Sequence, residues 1–166
     1  MTEQPSTLAP FYKGWDAYQQ LLVNAIAPLS DEQLELRPGG DLRSVRMIAL
    51  HIIGARARWL HYVLHESGDN LVALGSWDRP GEPARSAAEI VSALESTWQV
   101  LQAGLQRWTL ADLEEVLQET FDEGDTGEPE SFSRQWVIWH LIEHDLHHGG
   151  ELSFLLGMHG VPAIDL

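Results

Sequence analysis

The sequence has no cysteine, and lysine occurs only once in its 166 residues. Without cysteine the chain forms no disulfide, binds no metal through a thiolate and has no thiol nucleophile of its own. A metal site in this chain must therefore be built from His, Asp and Glu side chains. Any sulfur chemistry needs a thiol that arrives with a cosubstrate.

Positive charge is also scarce, because 25 acidic residues outnumber 10 Lys and Arg and give a formal net charge of −15. A field of that sign repels phosphate backbones and anionic lipid headgroups, so we expect neither nucleic acid nor a membrane as a partner. No apolar run approaches the roughly 20 residues that span a bilayer, and the N-terminal stretch MTEQPSTLAP lacks the pattern of a secretory signal. We therefore expect a cytoplasmic location.

Apolar residues recur at helical spacing in four segments, which predicts four long helices in a single domain over residues 1–166. Ser44 is well placed to cap the second helix, and Ser86 with Glu89 forms a capping box for the third. Either of two serines could start the last helix, and either of two glycines could end it. The predicted spans are 11–27, 44–66, 86–108, and 131 or 133 to 157 or 160.

The connection between the second and third helices, residues 67–85, holds three Gly and two Pro and is longer than adjacent antiparallel helices need. Such a segment could cross the whole bundle. Residues 110–131 contain nine acids and no Lys or Arg, which indicates a solvated and partly irregular stretch. No segment is a convincing strand. The predicted fold is all-α, a four-helix bundle in up-down-down-up order with a long crossover between helices 2 and 3.

Four of the eight histidines fall within residues 140–148 on the last predicted helix. Residues four apart on a helix have Cβ atoms about 6 Å from one another, so two imidazoles there can share one ion. The pairs 140/144, 144/148 and 144/147 all satisfy the geometry. Spacing alone does not choose among them, and a wet polar layer or a solvent-facing patch is the alternative interpretation.

Two imidazoles from one helix leave a transition metal under-coordinated, so a third ligand must come from elsewhere. His51 lies at or beside the apolar stripe of the second helix and is the candidate, although a lone buried histidine is more often a hydrogen-bonded core residue. We expect Arg58 to form a surface or rim ion pair, or alternatively to hold an anionic substrate group. We expect three other histidines at the surface, His61, His65 and His159, and three tryptophans in the core, Trp59, Trp98 and Trp136.

Two stretches together resemble the DinB/YfiT-like superfamily, namely SVRMIALHIIGA at residues 44–55 and WHLIEHDLHHGGELSFLLG at residues 139–157. The resemblance covers essentially the whole chain. It implies an up-down-down-up bundle, usually a homodimer, that binds a divalent metal through His51, His144 and His148. His140 and His147 then take supporting or surface roles.

The chain differs from the superfamily at two positions near these histidines. Gly149 stands where another residue, often Arg, occurs, and Glu151 stands where Gln is common. A carboxylate at position 151 could orient an imidazole or add a fourth ligand.

The resemblance also implies a reaction, because members of known activity use a low-molecular-weight thiol such as mycothiol, bacillithiol or glutathione. Our first hypothesis is a metal-dependent S-transferase that acts on a small-molecule substrate. The second is a metal-dependent hydrolase in which Glu143, Asp145 or Glu151 assists with protons. The third is a non-catalytic metal-binding or dimerisation module. A histidine-rich donor set suits Zn, Ni or Fe(II), and the sequence does not choose among these metals.

Overall fold

The structure is a computed structural model that describes residues 6–68, 70–120 and 128–166. It is mostly helical, as the sequence predicted. Four long helices are joined by short helical turns and one small sheet. The α-helices are α1 Lys13–Ile26, α2 Asp31–Leu34, α3 Val45–Arg58, α4 Leu71–Leu74, α5 Ala87–Arg107 and α6 Arg134–Met158; β1 is Val116–Gln118 and β2 is Ser131–Ser133.

The predicted starts of three long helices are confirmed by their caps. The hydroxyls of Ser44, Ser86 and Ser133 each accept a hydrogen bond from the backbone N–H three residues further on. Glu89 completes the capping box of α5 by accepting the backbone N–H of Ser86 at 2.8 Å. These contacts are local in sequence, which is why the sequence predicted them. Of the two serines that could start α6, Ser133 is the cap.

The structure corrects the sequence prediction in the connections. The short helices α2 and α4 lie in segments predicted as turn and loop, and α2 has its own capping box at Ser30. The expectation of no strand is wrong, because β1 and β2 pair antiparallel with Leu117 opposite Phe132. Each strand has three residues, and Leu117 is the only buried side chain of the two strands, so they are too short to give an alternating pattern. Part of the acidic stretch, residues 121–127, lies outside the described residues.

The long helices pack so that α3 lies against α6 and α5, and α1 lies against α5 and α6. One π-helical turn, Trp59–Val63, continues α3 beyond Arg58. Within the described ranges, none of the helices is both long and apolar enough to cross a membrane. The close packing of α3 and α6 is the feature that positions the histidines. Side chains with no solvent exposure fill the core between the helices, including Leu22, Ile26, Ile52, Ile53, Leu94, Leu101, Leu141 and Leu152.

A buried polar network runs through this core. Arg56 of α3 pairs with Asp145 of α6 at 2.7 Å, and neither side chain is exposed. The indole of Trp15 donates to Asp145 at 2.7 Å, and Gln19 accepts from Arg56 at 2.7 Å. The expectation that Asp145 assists with protons at an open site is wrong, because its carboxylate is sealed in the core and held by Arg56.

Candidate metal centre

Three imidazoles from two distant stretches of the chain meet between α3 and α6. The Nε2 atoms of His51 and His144 are 3.2 Å apart. The ring centroid of His148 lies 4.7 Å from that of His51 and 4.4 Å from that of His144. One ligand nitrogen from each ring lies within 4.8 Å of the other two, so this group could hold a metal ion. Of the three pairs that spacing allowed on α6, the pair 144/148 is the one that faces His51.

One pair of ring nitrogens has the spacing of two ligands on a tetrahedral transition metal. Two nitrogens that each lie 2.0–2.1 Å from such an ion are about 3.3 Å from one another. The Nε2 atoms of His51 and His144 have nearly this separation. Imidazole nitrogens are the preferred ligands of Zn, Ni and Fe(II), and the chain has no thiolate to compete with them.

Asp78 orients His51 from the crossover between α3 and α5. Its Oδ2 lies 2.8 Å from Nδ1 of His51. Because an ionised carboxylate only accepts hydrogen bonds, the ring carries its proton on Nδ1 and keeps the Nε2 lone pair. Burial raises the pKa of Asp78, but hydrogen bonds from His51 and Arg58 outweigh burial and hold this pKa well below its usual range.

Arg58 fixes the Asp78 carboxylate by donating to both of its oxygens, at 2.7 and 3.0 Å. The guanidinium also donates to the carbonyl of Gly75 at 2.5 Å. The ion pair predicted for Arg58 is therefore confirmed. Asp78 was not among the predicted site residues, since no local pattern marks a residue whose partner lies 27 positions away.

Gly54 makes room for this carboxylate on the surface of α3. A Cβ at position 54 would lie 2.8 Å from Oδ1 of Asp78 and 3.0 Å from Nη1 of Arg58. Those contacts are too short for any larger side chain unless the pair moves. Glycine in the middle of α3 therefore allows the crossover to reach His51, at the usual cost in helix propensity.

Glu151 orients His148 in the same way from within α6. Its Oε2 lies 2.7 Å from Nδ1 of His148, three residues earlier. The proton of that ring therefore lies on Nδ1, and the lone pair of Nε2 remains available to bind a metal ion. The prediction that a carboxylate at position 151 could orient an imidazole agrees with this contact.

His144 is the most enclosed of the three rings. Burial lowers its pKa to about 3, with further contributions from the neighbouring His148 and His51. The ring is therefore neutral at physiological pH, as a metal ligand must be. Its Nδ1 is buried and has no hydrogen-bond partner within the described part of the chain.

His140 and His147 lie outside the three-histidine group. His140 stacks on Trp136 with ring centroids 4.9 Å apart, and Trp59 contacts it edge-on. His147 is exposed, and its Nε2 lies 3.6 Å from Glu151. Trp136 is 43% exposed, so its predicted core position is wrong; its ring stacks on Phe132 and His140 at the surface.

Of the other burial predictions for tryptophans and histidines, some are confirmed and some are not. Trp98 is buried in the core as predicted, whereas Trp59 is only partly buried. His65 and His159 are exposed as predicted, and His61 is partly buried.

The fold and the site together define a helical protein in which the packing of α3 against α6 brings three imidazoles into one group. The profile of the DinB family matches residues 3–165, and the chain belongs to that family. The crystal structure of a DinB-like protein from Bacillus cereus is similar in fold, with a TM-score of 0.73 and 21% identity over 98% of this chain and 99% of that chain. No curated protein sequence matches significantly.

Proposed function

We propose that this DinB-family chain is a metal-dependent enzyme in which His51, His144 and His148 hold a divalent ion, Zn, Ni or Fe(II). We further propose that it transfers a low-molecular-weight thiol to an electrophilic small molecule. The observation that carries the proposal is the convergence of three imidazoles whose ligand nitrogens lie within 4.8 Å of one another.

Two carboxylates support a metal role for these rings. Asp78 and Glu151 each accept a hydrogen bond from the Nδ1–H of one imidazole, which leaves the lone pair of its Nε2 available to a metal ion. A divalent ion held by three neutral imidazoles keeps its charge and an open position, so it would favour the thiolate form of a cosubstrate. The chain itself offers no cysteine that could take the place of that thiol.

The exposure of the rings supports a functional site rather than a closed structural one. The side chains of His51 and His148 are 23% and 11% exposed, so a small molecule can approach the group. A structural ion is usually enclosed by four protein ligands, whereas catalytic sites keep a position open. This favours the enzyme over a non-catalytic metal-binding module.

Metal analysis of purified variants tests the centre. We expect His51→Ala and His144→Ala to lose most of the metal found in the wild type, while circular dichroism shows that helicity is kept. His159→Ala is the matched control, because this exposed histidine directly follows the same helix and belongs to neither group of potential metal ligands in the described residues. Full metal content in His51→Ala would contradict the proposed centre.

A turnover assay separates thiol transfer from hydrolysis. Metal-loaded protein is incubated with a panel of electrophiles, with and without a cellular thiol such as glutathione, mycothiol or bacillithiol. We expect a thioether product that requires both the thiol and the ion and that disappears in His144→Ala. Product formation from water alone, at the same rate without any thiol, would favour the hydrolase instead.

The family match also supports three proposals about architecture. We propose that the four long helices form an up-down-down-up bundle, that residues 1–166 are a single domain, and that the chain is a homodimer. Exposed apolar side chains along α6 would supply the interface between two copies, among them Trp139, Leu146 and Phe154. Light scattering on the wild type and on Phe154→Glu tests the proposed homodimer. A monomeric wild type would overturn that proposal.

A further inference from the structure

A cavity of about 460 Å³ opens beside the end of α3, outside the three-histidine group. Cavities that bind small molecules typically measure about 300–1,000 Å³ and combine apolar walls with a few polar groups. This cavity has that character. Its apolar lining residues include Trp59, Val63 and Val72, and the charged residues Arg58, Arg79 and Glu119 also line it.

The charges at the cavity are of opposite sign. Arg58 is already neutralised, because it donates to both oxygens of Asp78. Arg79 is 62% exposed, and its Nε lies 3.9 Å from that same carboxylate, which Arg58 binds more closely. Glu119 forms no ion pair with any residue in the described ranges. One cation and one anion are therefore available to a ligand.

The cavity also lies on the same side of the molecule as the candidate metal centre. Arg58 follows His51 by seven residues, two turns on the same face of α3, which places it about 10 Å further along the helix axis. Trp59 lines the cavity and also contacts the ring of His140, whose centroid is 6.1 Å from that of His144. An extended small molecule could therefore occupy the cavity at one end and reach the histidines at the other.

We propose that this cavity binds the zwitterionic end of an amphipathic small molecule, with its carboxylate on Arg79, its ammonium group on Glu119 and its apolar part against Trp59. The ligand class is thus an amino-acid or short-peptide derivative. Its role as a substrate at the histidines rests on the proposed function. Binding itself does not, because none of the three histidines lines the cavity.

Three related probes test the charge requirement on metal-free protein. S-benzyl-L-cysteine carries both charges, N-acetyl-S-benzyl-L-cysteine carries only the carboxylate, and S-benzyl-L-cysteinamide at about pH 6 carries only the ammonium group. Binding is followed by NMR through the indole N–H of Trp59 and the amide of Gly75. We expect the zwitterion to bind about two- to fivefold more tightly than either singly charged probe, as exposed ion pairs allow.

Two charge-neutralising variants assign the groups. Arg79→Gln should weaken binding of the zwitterion and the anion about two- to fivefold and leave the cation unchanged, whereas Glu119→Gln should weaken binding of the zwitterion and the cation only. Arg37→Gln and Glu114→Gln are matched controls, because both side chains lie outside the cavity. They should bind all three probes as the wild type does.

The proposal is overturned if the three probes bind equally well, or if the control variants lose as much affinity as the cavity variants. It is also overturned if no probe shifts the NMR signals of Trp59 or Gly75 at about 10 mM, well above the roughly millimolar affinity of such weak contacts. These results are independent of the metal centre. A protein that binds no metal but shows the expected charge pattern would refute the proposed function and leave the cavity assignment standing. A protein that binds metal but no probe would refute the cavity assignment and leave the proposed function standing.

Discussion

At the centre, two of the three imidazoles have a carboxylate on Nδ1, but the carboxylates differ in how they are held. Asp78 is fixed by two hydrogen bonds from Arg58, whereas Glu151 is 44% exposed and extends from the same helix as its partner. An acceptor held by an arginine constrains both the proton position and the ring orientation more strongly than an exposed acceptor without such a partner. The two residues should therefore differ in how much metal affinity depends on them.

We predict that Asp78→Asn lowers metal affinity about 10- to 100-fold. The side-chain NH2 of asparagine would face either the guanidinium of Arg58 or the ring of His51, and the negative charge would be lost. Glu151→Gln should have a smaller effect, because its amide oxygen can still accept from His148 without an arginine in the way. Competition with a chromophoric chelator measures both affinities.

A control for this comparison is Asp41→Asn, an exposed carboxyl group that does not contact the centre. It should keep wild-type affinity. Equal losses in Asp78→Asn and Glu151→Gln would contradict the distinction between a carboxylate held by Arg58 and an exposed one. Unchanged affinity in Asp78→Asn would show that His51 needs no orienting partner.

At the scale of the elements, the start of α5 depends on reciprocal hydrogen bonds between Ser86 and Glu89. The backbone N–H of Ser86 is the largest cause that lowers the pKa of Glu89, followed by the hydroxyl of Ser86. A carboxyl group whose pKa is lower in the folded state stabilises the fold above its unfolded pKa. That stabilisation is lost as the pH falls through the folded pKa.

We predict that Ser86→Ala lowers the free energy of unfolding by about 1 kcal/mol at neutral pH, because α5 loses its N-cap. Glu89→Gln should make the loss of stability on acidification below the usual glutamate pKa of about 4.3 shallower than in the wild type, since the glutamine cannot be protonated there. Urea unfolding at a series of pH values measures both effects. An identical pH dependence in wild type and Glu89→Gln would contradict the role of this carboxylate.

The contact between α1 and α6 depends on the absence of a side chain at position 149. A Cβ on Gly149 would overlap the hydroxyl of Tyr18 and lie 3.0 Å from its Cζ. Tyr18 is buried, and Leu22 beside it would be 3.1 Å from the same Cβ. The two helices can therefore approach each other this closely only with glycine at this position.

We predict that Gly149→Ala destabilises the protein by about 1–3 kcal/mol, the usual cost of overpacking. Tyr18→Phe removes the atom of closest approach, so the double variant should recover part of the loss. Thermal unfolding of the two single variants and the double variant measures the coupling. Purely additive effects would show that the hydroxyl is not the obstacle. Gly150→Ala is the control, because a Cβ there meets no atom within 4 Å.

At the scale of the whole molecule, the buried pair of Arg56 and Asp145 links all four long helices. The pair itself joins α3 to α6. Two residues of α1 form hydrogen bonds with it, Trp15 with Asp145 and Gln19 with Arg56. The side-chain amide of Gln19 also donates to a backbone carbonyl of α5 at 3.2 Å. Removing one member leaves the other charge buried without its counter-ion, which costs more than the pair contributes.

We predict that Asp145→Ala lowers the free energy of unfolding by about 3–5 kcal/mol, a large part of the stability of a typical domain. Replacing both members by apolar residues, Arg56→Met with Asp145→Leu, should destabilise the protein less than Asp145→Ala alone. Urea unfolding measures all variants. A double variant that is less stable than the single one would show that the pair is a net source of stability.

The sequence by itself determined where α3 and α5 begin, narrowed the start of α6 to two serines and marked the candidate histidines, because caps and helical periodicity depend on residues three or four positions apart. Which imidazoles converge was decided by tertiary structure, since the spacing on α6 allowed three pairs and only the packing of α3 on α6 selects one. The same holds for Asp78 and for Arg56 with Asp145, whose partners lie 27 and 89 positions away. A contact across that distance leaves no local pattern, because it depends on the path of the crossover and on the register between helices rather than on neighbouring residues.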